Sequence, residues 1–133
     1  MDDSQYSSDI KVIKSEAFAD RITALHTYLT EQKHEFVMSN QIYRSGLSIG
    51  ANIAEAVRAY SRADFFAKLS ISLKEAEETA YWLRRLYKGK FIDEAGYKSM
   101  AKDCRELIAL LVAIIKHRDD DKTENQQNTK EQK

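Results

Sequence analysis

Residues 41–56 read Gln41-Ile-Tyr-Arg-Ser-Gly-Leu-Ser-Ile-Gly-Ala-Asn-Ile-Ala-Glu-Ala56, and this stretch constrains the fold more than any other. Ile42, Gly46, Ile49, Ile53 and Ala56 recur at i, i+4, i+7, i+11 and i+14, the rhythm of a buried helix face. Ser45, Ser48, Asn52 and Glu55 form a second stripe that carries hydroxyl, amide and carboxylate groups. Two stripes imply two neighbours. Glycine inside a helix costs roughly 1 kcal/mol relative to alanine, so Gly46 and Gly50 predict backbones packed close against this one. The stretch reads as the central helix of a bundle.

The rest of the chain supplies the other helices. Phe18, Ile22, Leu25 and Leu29 mark a first helix over about 10–33, with Ser8, Asp9 and Ser15 all open as its cap. Three later starts share one device, a capping residue flanked by apolar residues five positions apart: Met38 and Tyr43 around Ser39, Tyr60 and Phe65 around Ser61, Ile92 and Tyr97 around Asp93. Ser61 with Asp64 resembles a capping box, aspartate standing in for glutamate. The second helix then spans about 40–59. The third spans 62–88, with Phe66, Leu69, Leu73, Ala76, Ala80, Leu83 and Tyr87 at heptad-like spacing and Gly89 as its C-terminal cap. The fourth spans 94–118 with Met100, Cys104, Leu107, Leu111 and Ile114 on one face. Residues 1–9 read as a flexible arm and 119–133 as a disordered polar tail.

Short connections between long helices give an all-α, up-down-up-down antiparallel four-helix bundle, or else a pair of helical hairpins completed by a partner subunit. The absence of proline agrees with uninterrupted helices. Leu107–Ile115 is apolar almost all round, which predicts that one face of the fourth helix meets another chain and that the protein is a homo-oligomer.

With 21 basic and 21 acidic side chains there is no global field toward nucleic acid or membrane. No run reaches the roughly 20 apolar residues of a membrane helix, and the polar start is no signal peptide. The expectation is a soluble, cytoplasmic protein with no membrane partner. One cysteine, Cys104, makes no internal disulfide and sits at a core position.

Several constellations carry chemistry in other proteins. Di-iron bundles pair two Glu-x-x-His motifs, and this chain has one, Glu31 with His34; His26, His34 and His117 lack ligand spacing. No local nucleophile motif or phosphate loop is present, so the reading is no metal, no cofactor and no enzyme. The polar stripe Arg44, Ser45, Ser48, Asn52 and Glu55 finds a counterpart in Ser72, Glu75, Glu78 or Thr79, and Trp82 on the third helix, which predicts hydrogen bonding between helices or between subunits. Arg58, Arg62 and Lys68, with Arg44 further along and Tyr60 between, form a candidate phosphate-contacting edge, although for each residue taken singly a solvated surface is the better explanation. Arg84, Arg85, Lys88 and Lys90 are a second basic group, for which complementing a helix C-terminus is the simpler explanation.

Gln41-x-x-Arg-Ser-x-x-Ser-Ile-x-x-Asn-Ile-x-Glu55, Ser61-x-Ala-Asp-Phe65 and Ile71-Ser-Leu-Lys-Glu-Ala-x-Glu-Thr-x-Tyr-Trp-Leu83 together resemble the bacterial four-helix-bundle proteins encoded in intervening sequences of 23S ribosomal RNA genes. The resemblance covers about residues 12–116. It implies a ring-like homopentamer related to accessory proteins of diversity-generating retroelements, which bind nucleic acid and a reverse transcriptase. It places Arg44, Ser45, Ser48, Asn52 and Glu55 on the family's second-helix signature, and Lys74, Glu75, Glu78, Tyr81 and Trp82 on its third. Tyr43 stands where the family often has arginine or leucine, and Ala56 where it has glycine; these departures leave the fold alone but, with the balanced charge, weaken a basic groove. The expected function is a non-enzymatic oligomeric scaffold associated with RNA or nucleoprotein, the alternative a protein–protein adaptor without nucleic-acid affinity.

Overall fold

The computed structural model describes the backbone of residues 9–131 and the side chains of 9–118. Four helices follow one another: α1 Ile10–Glu31, α2 Val37–Val57, α3 Arg62–Lys88 and α4 Glu94–Glu131. Each packs on its neighbour in sequence, α2 most closely on α3, and α1 returns to close on α4. The architecture is the antiparallel four-helix bundle that the periodicity implies.

The caps explain the boundaries. Asp9 starts α1, its carboxylate accepting from the Lys11 N–H, and Ser61 starts α3 by accepting from the Asp64 N–H at 3.0 Å. Asp93 accepts from the Gly96 N–H at 2.7 Å ahead of α4. Ser39 is not the cap of α2. That helix begins earlier, at Val37, because the Glu35 carboxylate accepts the N–H groups of Val37, Met38 and Ser39 at 3.0, 2.9 and 2.7 Å. Ser39 is buried inside the first turn.

Gly89 is the C-cap of α3, as expected, its N–H bonding back to Arg85 O. It keeps an ordinary helical φ of −78°, and Lys90 is the left-handed residue, at φ 66°. The Phe91 N–H reaches Leu86 O and the Lys90 N–H reaches Tyr87 O, at 2.9 and 3.0 Å, the two bonds of a Schellman motif with lysine in the usual glycine place. A side chain at Gly89 would lie 3.1 Å from the Phe91 ring, so glycine is there to seat Phe91.

The helical backbone of α4 continues to Glu131 instead of stopping at 118 where the tail was expected to begin. Residues 119–131 contain neither proline nor glycine, so no strong breaker interrupts the helix, although Asp, Asn and Thr outnumber the better helix formers Lys, Glu and Gln there. Residues 1–8 of the expected arm, and the last two of the tail, lie outside the described residues.

Phe18, Ile22, Leu29, Ile42, Ile49, Ile53, Leu69, Leu83, Leu86, Leu107 and Leu111 fill the core. At Gly46 an added Cβ would meet Ile22 at 2.8 Å, so the α1–α2 contact requires that glycine. Gly50 differs, since its nearest atom is 3.4 Å away. On α3 the buried line is Phe66, Leu69, Ser72, Ala76, Thr79, Leu83 and Leu86, so two hydroxyl residues enter the interior while Leu73, Ala80 and Tyr87 are only half-buried. Cys104 is fully buried and donates to Ala76 O at 3.3 Å; burial pushes its thiol up to about 12, against the opposing charges of Arg105 and Arg84.

Candidate functional site

Two surfaces emerge from the residues singled out in the sequence. The first runs along the α2–α3 seam. Inside it, the Ser45 and Thr79 hydroxyls are 2.9 Å apart and Ser72 donates to Ile49 O at 2.8 Å, so the buried part of the polar stripe joins two helices of one chain. Ser48 and Asn52 are half-buried and bond within α2, Ser48 to Arg44 O at 2.8 Å and Asn52 to Ser48 O at 2.9 Å. Of the expected bonds between helices, these two make none among the described residues.

Outside the seam, Arg44 bonds to Glu75 at 3.1 Å and also to Glu78, whose Oε2 accepts from the Trp82 indole N–H at 3.1 Å. Desolvation opposes the Arg44 charge, but the hydrogen bonds and charges of Glu78 and Glu75 outweigh it and raise its pKa above the ordinary value. Tyr81 packs edge-on to Trp82 at 5.0 Å and is 46 % exposed. Arg44, Glu75, Glu78, Tyr81 and Trp82 thus form one ordered charged and aromatic face, and Arg44 is committed to carboxylates. Glu55 holds Lys68 at 3.1 Å and raises the lysine pKa through that hydrogen bond and its charge.

The second surface is an end of the bundle, where α1 and α3 begin, α2 ends and α4 passes residues 113–118. Arg58, Tyr60 and Lys68 line one groove there, and Arg62, Phe66, Ile114 and His117 line another. The Arg62 guanidinium lies 5.0 Å from the Phe66 ring centroid and the Arg118 guanidinium 5.3 Å from the same ring. Lys11 sits 5.7 Å from the Phe65 ring while paired to Asp9 at 2.6 Å. Lys11, His117 and Arg118 were not legible as members of this group. They lie about fifty residues to either side of Arg62, and only the antiparallel topology brings them together.

Arg84, Arg85 and Lys88 belong to the opposite end. Arg84 lies 6.0 Å from the Tyr81 ring, and Arg85 and Lys88 occupy the last turn of α3, where cations complement the carbonyl end of the helix. Among the described residues no three His, Cys, Asp or Glu side chains gather as metal donors, and His26 instead bonds to Asn40 at 3.1 Å. No helix of the described residues is long and apolar enough to cross a membrane.

A solved structure from Bacteroides thetaiotaomicron, of a protein with unknown function from the S23 ribosomal protein family, is 52% identical to this chain. The match covers 80% of this chain and 98% of that one, with a TM-score of 0.79. No curated protein matches. A profile of the 23S rRNA-intervening sequence proteins matches residues 9–113, which span the first three helices, most of the apolar part of α4 and the α2–α3 face, and the chain therefore belongs to the 23S rRNA-intervening sequence protein family.

Proposed function

We propose that the protein is a non-enzymatic, homo-oligomeric scaffold that associates with RNA or nucleoprotein in the cytoplasm. Copies assemble into a ring-like homopentamer and present weak basic contacts several times over, so that modest affinities multiply. The observation that carries the RNA reading is the bundle end at which Arg62 and Arg118 share the Phe66 ring beside a fully exposed Tyr60. Cations interleaved with aromatic rings suit a phosphate backbone and its bases. Self-association draws support from apolar side chains facing outward on α1 and α4, among them Ile10, Ile13 and Val112 at 53, 46 and 45% exposure.

A second reading, a protein–protein adaptor without affinity for RNA, is favoured by the α2–α3 face. There Arg44 is neutralised by Glu75 and Glu78, and aromatic Tyr81 stands exposed.

Native mass spectrometry combined with titration of structured RNA at two salt concentrations tests both readings. The scaffold reading expects a pentamer mass and an affinity that falls steeply with salt, with weaker binding in Arg62→Ala and Arg118→Ala. A monomer removes the ring. A pentamer without RNA binding leaves the adaptor.

A further inference from the structure

The end of the bundle away from Arg62 holds a feature that neither scaffold nor adaptor uses. Where α1 finishes and α3 turns into α4, a cleft of about 630 Å³ opens, lined by Tyr28, Lys33, Tyr87, Lys90, Phe91 and Asp93 among others. Its size is that of a small-molecule site. Three of those side chains are aromatic. Tyr28 is 41 % exposed, and Tyr87 is braced by Tyr97, the rings stacked at 4.6 Å and 8°.

The rim is cationic. Lys33 and Lys90 make no ion pair among the described residues, and the Lys33 ammonium stands 5.9 Å from the Tyr28 ring. Asp93 is the acidic group of the lining; its Oδ1 is engaged by the Gly96 N–H at 2.7 Å, which leaves Oδ2 as an acceptor.

The backbone reinforces the assignment. Among the described residues two non-glycines have positive φ: Lys90, at 66°, stands in the wall of this cleft, and His34, at 51°, follows Lys33 in the chain without lining it. Lysine is a costly choice where glycine would be relaxed, and glycine sits one position earlier, where it makes room for Phe91.

We propose that this cleft binds a mononucleotide unit. The base lies against the aromatic walls, the phosphate meets the Lys33 and Lys90 ammonium groups, and Asp93 Oδ2 accepts from a ribose hydroxyl or an exocyclic amine. The ligand is either a free nucleotide or one unit of a single-stranded RNA. The proposal stands apart from the RNA-scaffold reading because the two sites occupy opposite ends of the bundle.

Calorimetric titration of the full chain tests it, using the four nucleoside monophosphates, adenosine, inorganic phosphate and a short single-stranded oligoribonucleotide. Saturable nucleotide binding is expected, at least about tenfold tighter than adenosine or phosphate alone, because each half supplies part of the contact. Lys33→Ala and Lys90→Ala should each weaken it about tenfold, and Tyr28→Ala about fivefold or more. Lys90→Gly separates binding from folding: its melting temperature should hold or rise by a few degrees while nucleotide affinity still falls about tenfold. Oligoribonucleotide affinity that falls in Lys90→Gly identifies RNA as the source of the unit, even where free nucleotides bind weakly. Oligoribonucleotide affinity that falls only in Arg62→Ala belongs to the other end. The proposal is overturned if Lys90→Gly binds nucleotide and oligoribonucleotide like the wild type, if phosphate alone binds as tightly as a nucleotide, or if neither nucleotide nor oligonucleotide binds.

Discussion

Glu35 and Ser39 hold each other at the start of α2: the Glu35 carboxylate accepts the Ser39 N–H at 2.7 Å, and the Ser39 hydroxyl donates to the Glu35 carbonyl at 2.6 Å. Both are buried, and two further N–H groups share the same carboxylate. One side chain thereby satisfies three of the four donors that a helix start leaves open.

Glu35→Ala should therefore destabilise the fold by about 2 kcal/mol, more than an ordinary cap loss of about 1 kcal/mol. Chemical denaturation reads the difference directly. A loss of under about 0.5 kcal/mol would mean that water replaces the carboxylate without penalty.

The two glycines of α2 should respond with opposite signs. Gly46→Ala drives a methyl into Ile22, which is completely buried, and should cost about 1–3 kcal/mol. Gly50→Ala meets only ordinary contact at 3.4 Å from Ser15 Oγ and should stabilise by about 0.5–1 kcal/mol. Melting curves of the two variants give the comparison, and a shared sign would contradict the packing described for α1 and α2.

Ser45 and Thr79 form a hydroxyl pair inside the seam, so their substitutions should not add. Thr79→Val alone leaves the Ser45 hydroxyl with only a long bond to Ile42 O at 3.5 Å and should cost about 1–3 kcal/mol, whereas Ser45→Ala with Thr79→Val should cost clearly less than the sum of the single changes. A double-mutant cycle by denaturant unfolding measures that coupling. Additivity would place the pair outside any shared hydrogen bond.

The Cys104 thiol is pushed up to about 12 from its ordinary 9.0 by burial. Between those two values the unfolded chain releases a proton that the folded chain keeps, so νU is below νN and stability falls as pH rises. The contribution is complete below about pH 9 and is lost toward about pH 12. The same burial should leave the folded protein unreactive to thiol reagents at pH 8, with labelling governed by unfolding; rapid stoichiometric labelling would refute the buried position. Cys104→Ser should remove this alkaline component from the stability profile.

The helix starts show how far a local pattern reaches. Ser61 and Asp93 act as caps at the positions their flanking apolar residues announce, because a short side chain bonding two or three residues ahead is a purely local matter. Ser39 carries the same flanks and fails, since Glu35, four residues earlier, accepts the N–H groups of Val37, Met38 and Ser39 and so starts the helix before Ser39. Glutamate is not among the preferred caps, so no rule of spacing marks it. Gly89 caps α3 where the sequence announces it, but which of Gly89 and Lys90 turns left-handed depends on where the Phe91 ring packs.

Candidate residues divide in the same way. Arg44, Glu75, Glu78 and Trp82 stand out in the sequence and meet on one face in the structure, because α2 and α3 are adjacent and their stripes share a helical period. Arg118 carries no local signal that would attach it to Arg62, and the Phe66 ring between them becomes visible only in three dimensions.

By itself the sequence determined four helices, most of their caps and the faces they bury, since periodicity and capping are properties of a few consecutive residues. The tertiary structure alone decided which polar groups turn inward, and it brought Lys11, Arg62 and Arg118 to one end of the bundle and Tyr28, Lys33, Lys90 and Phe91 to the other. Those groupings depend on helix ends tens of residues apart being folded back together, and the contact is set by packing between helices instead of by spacing along any one of them.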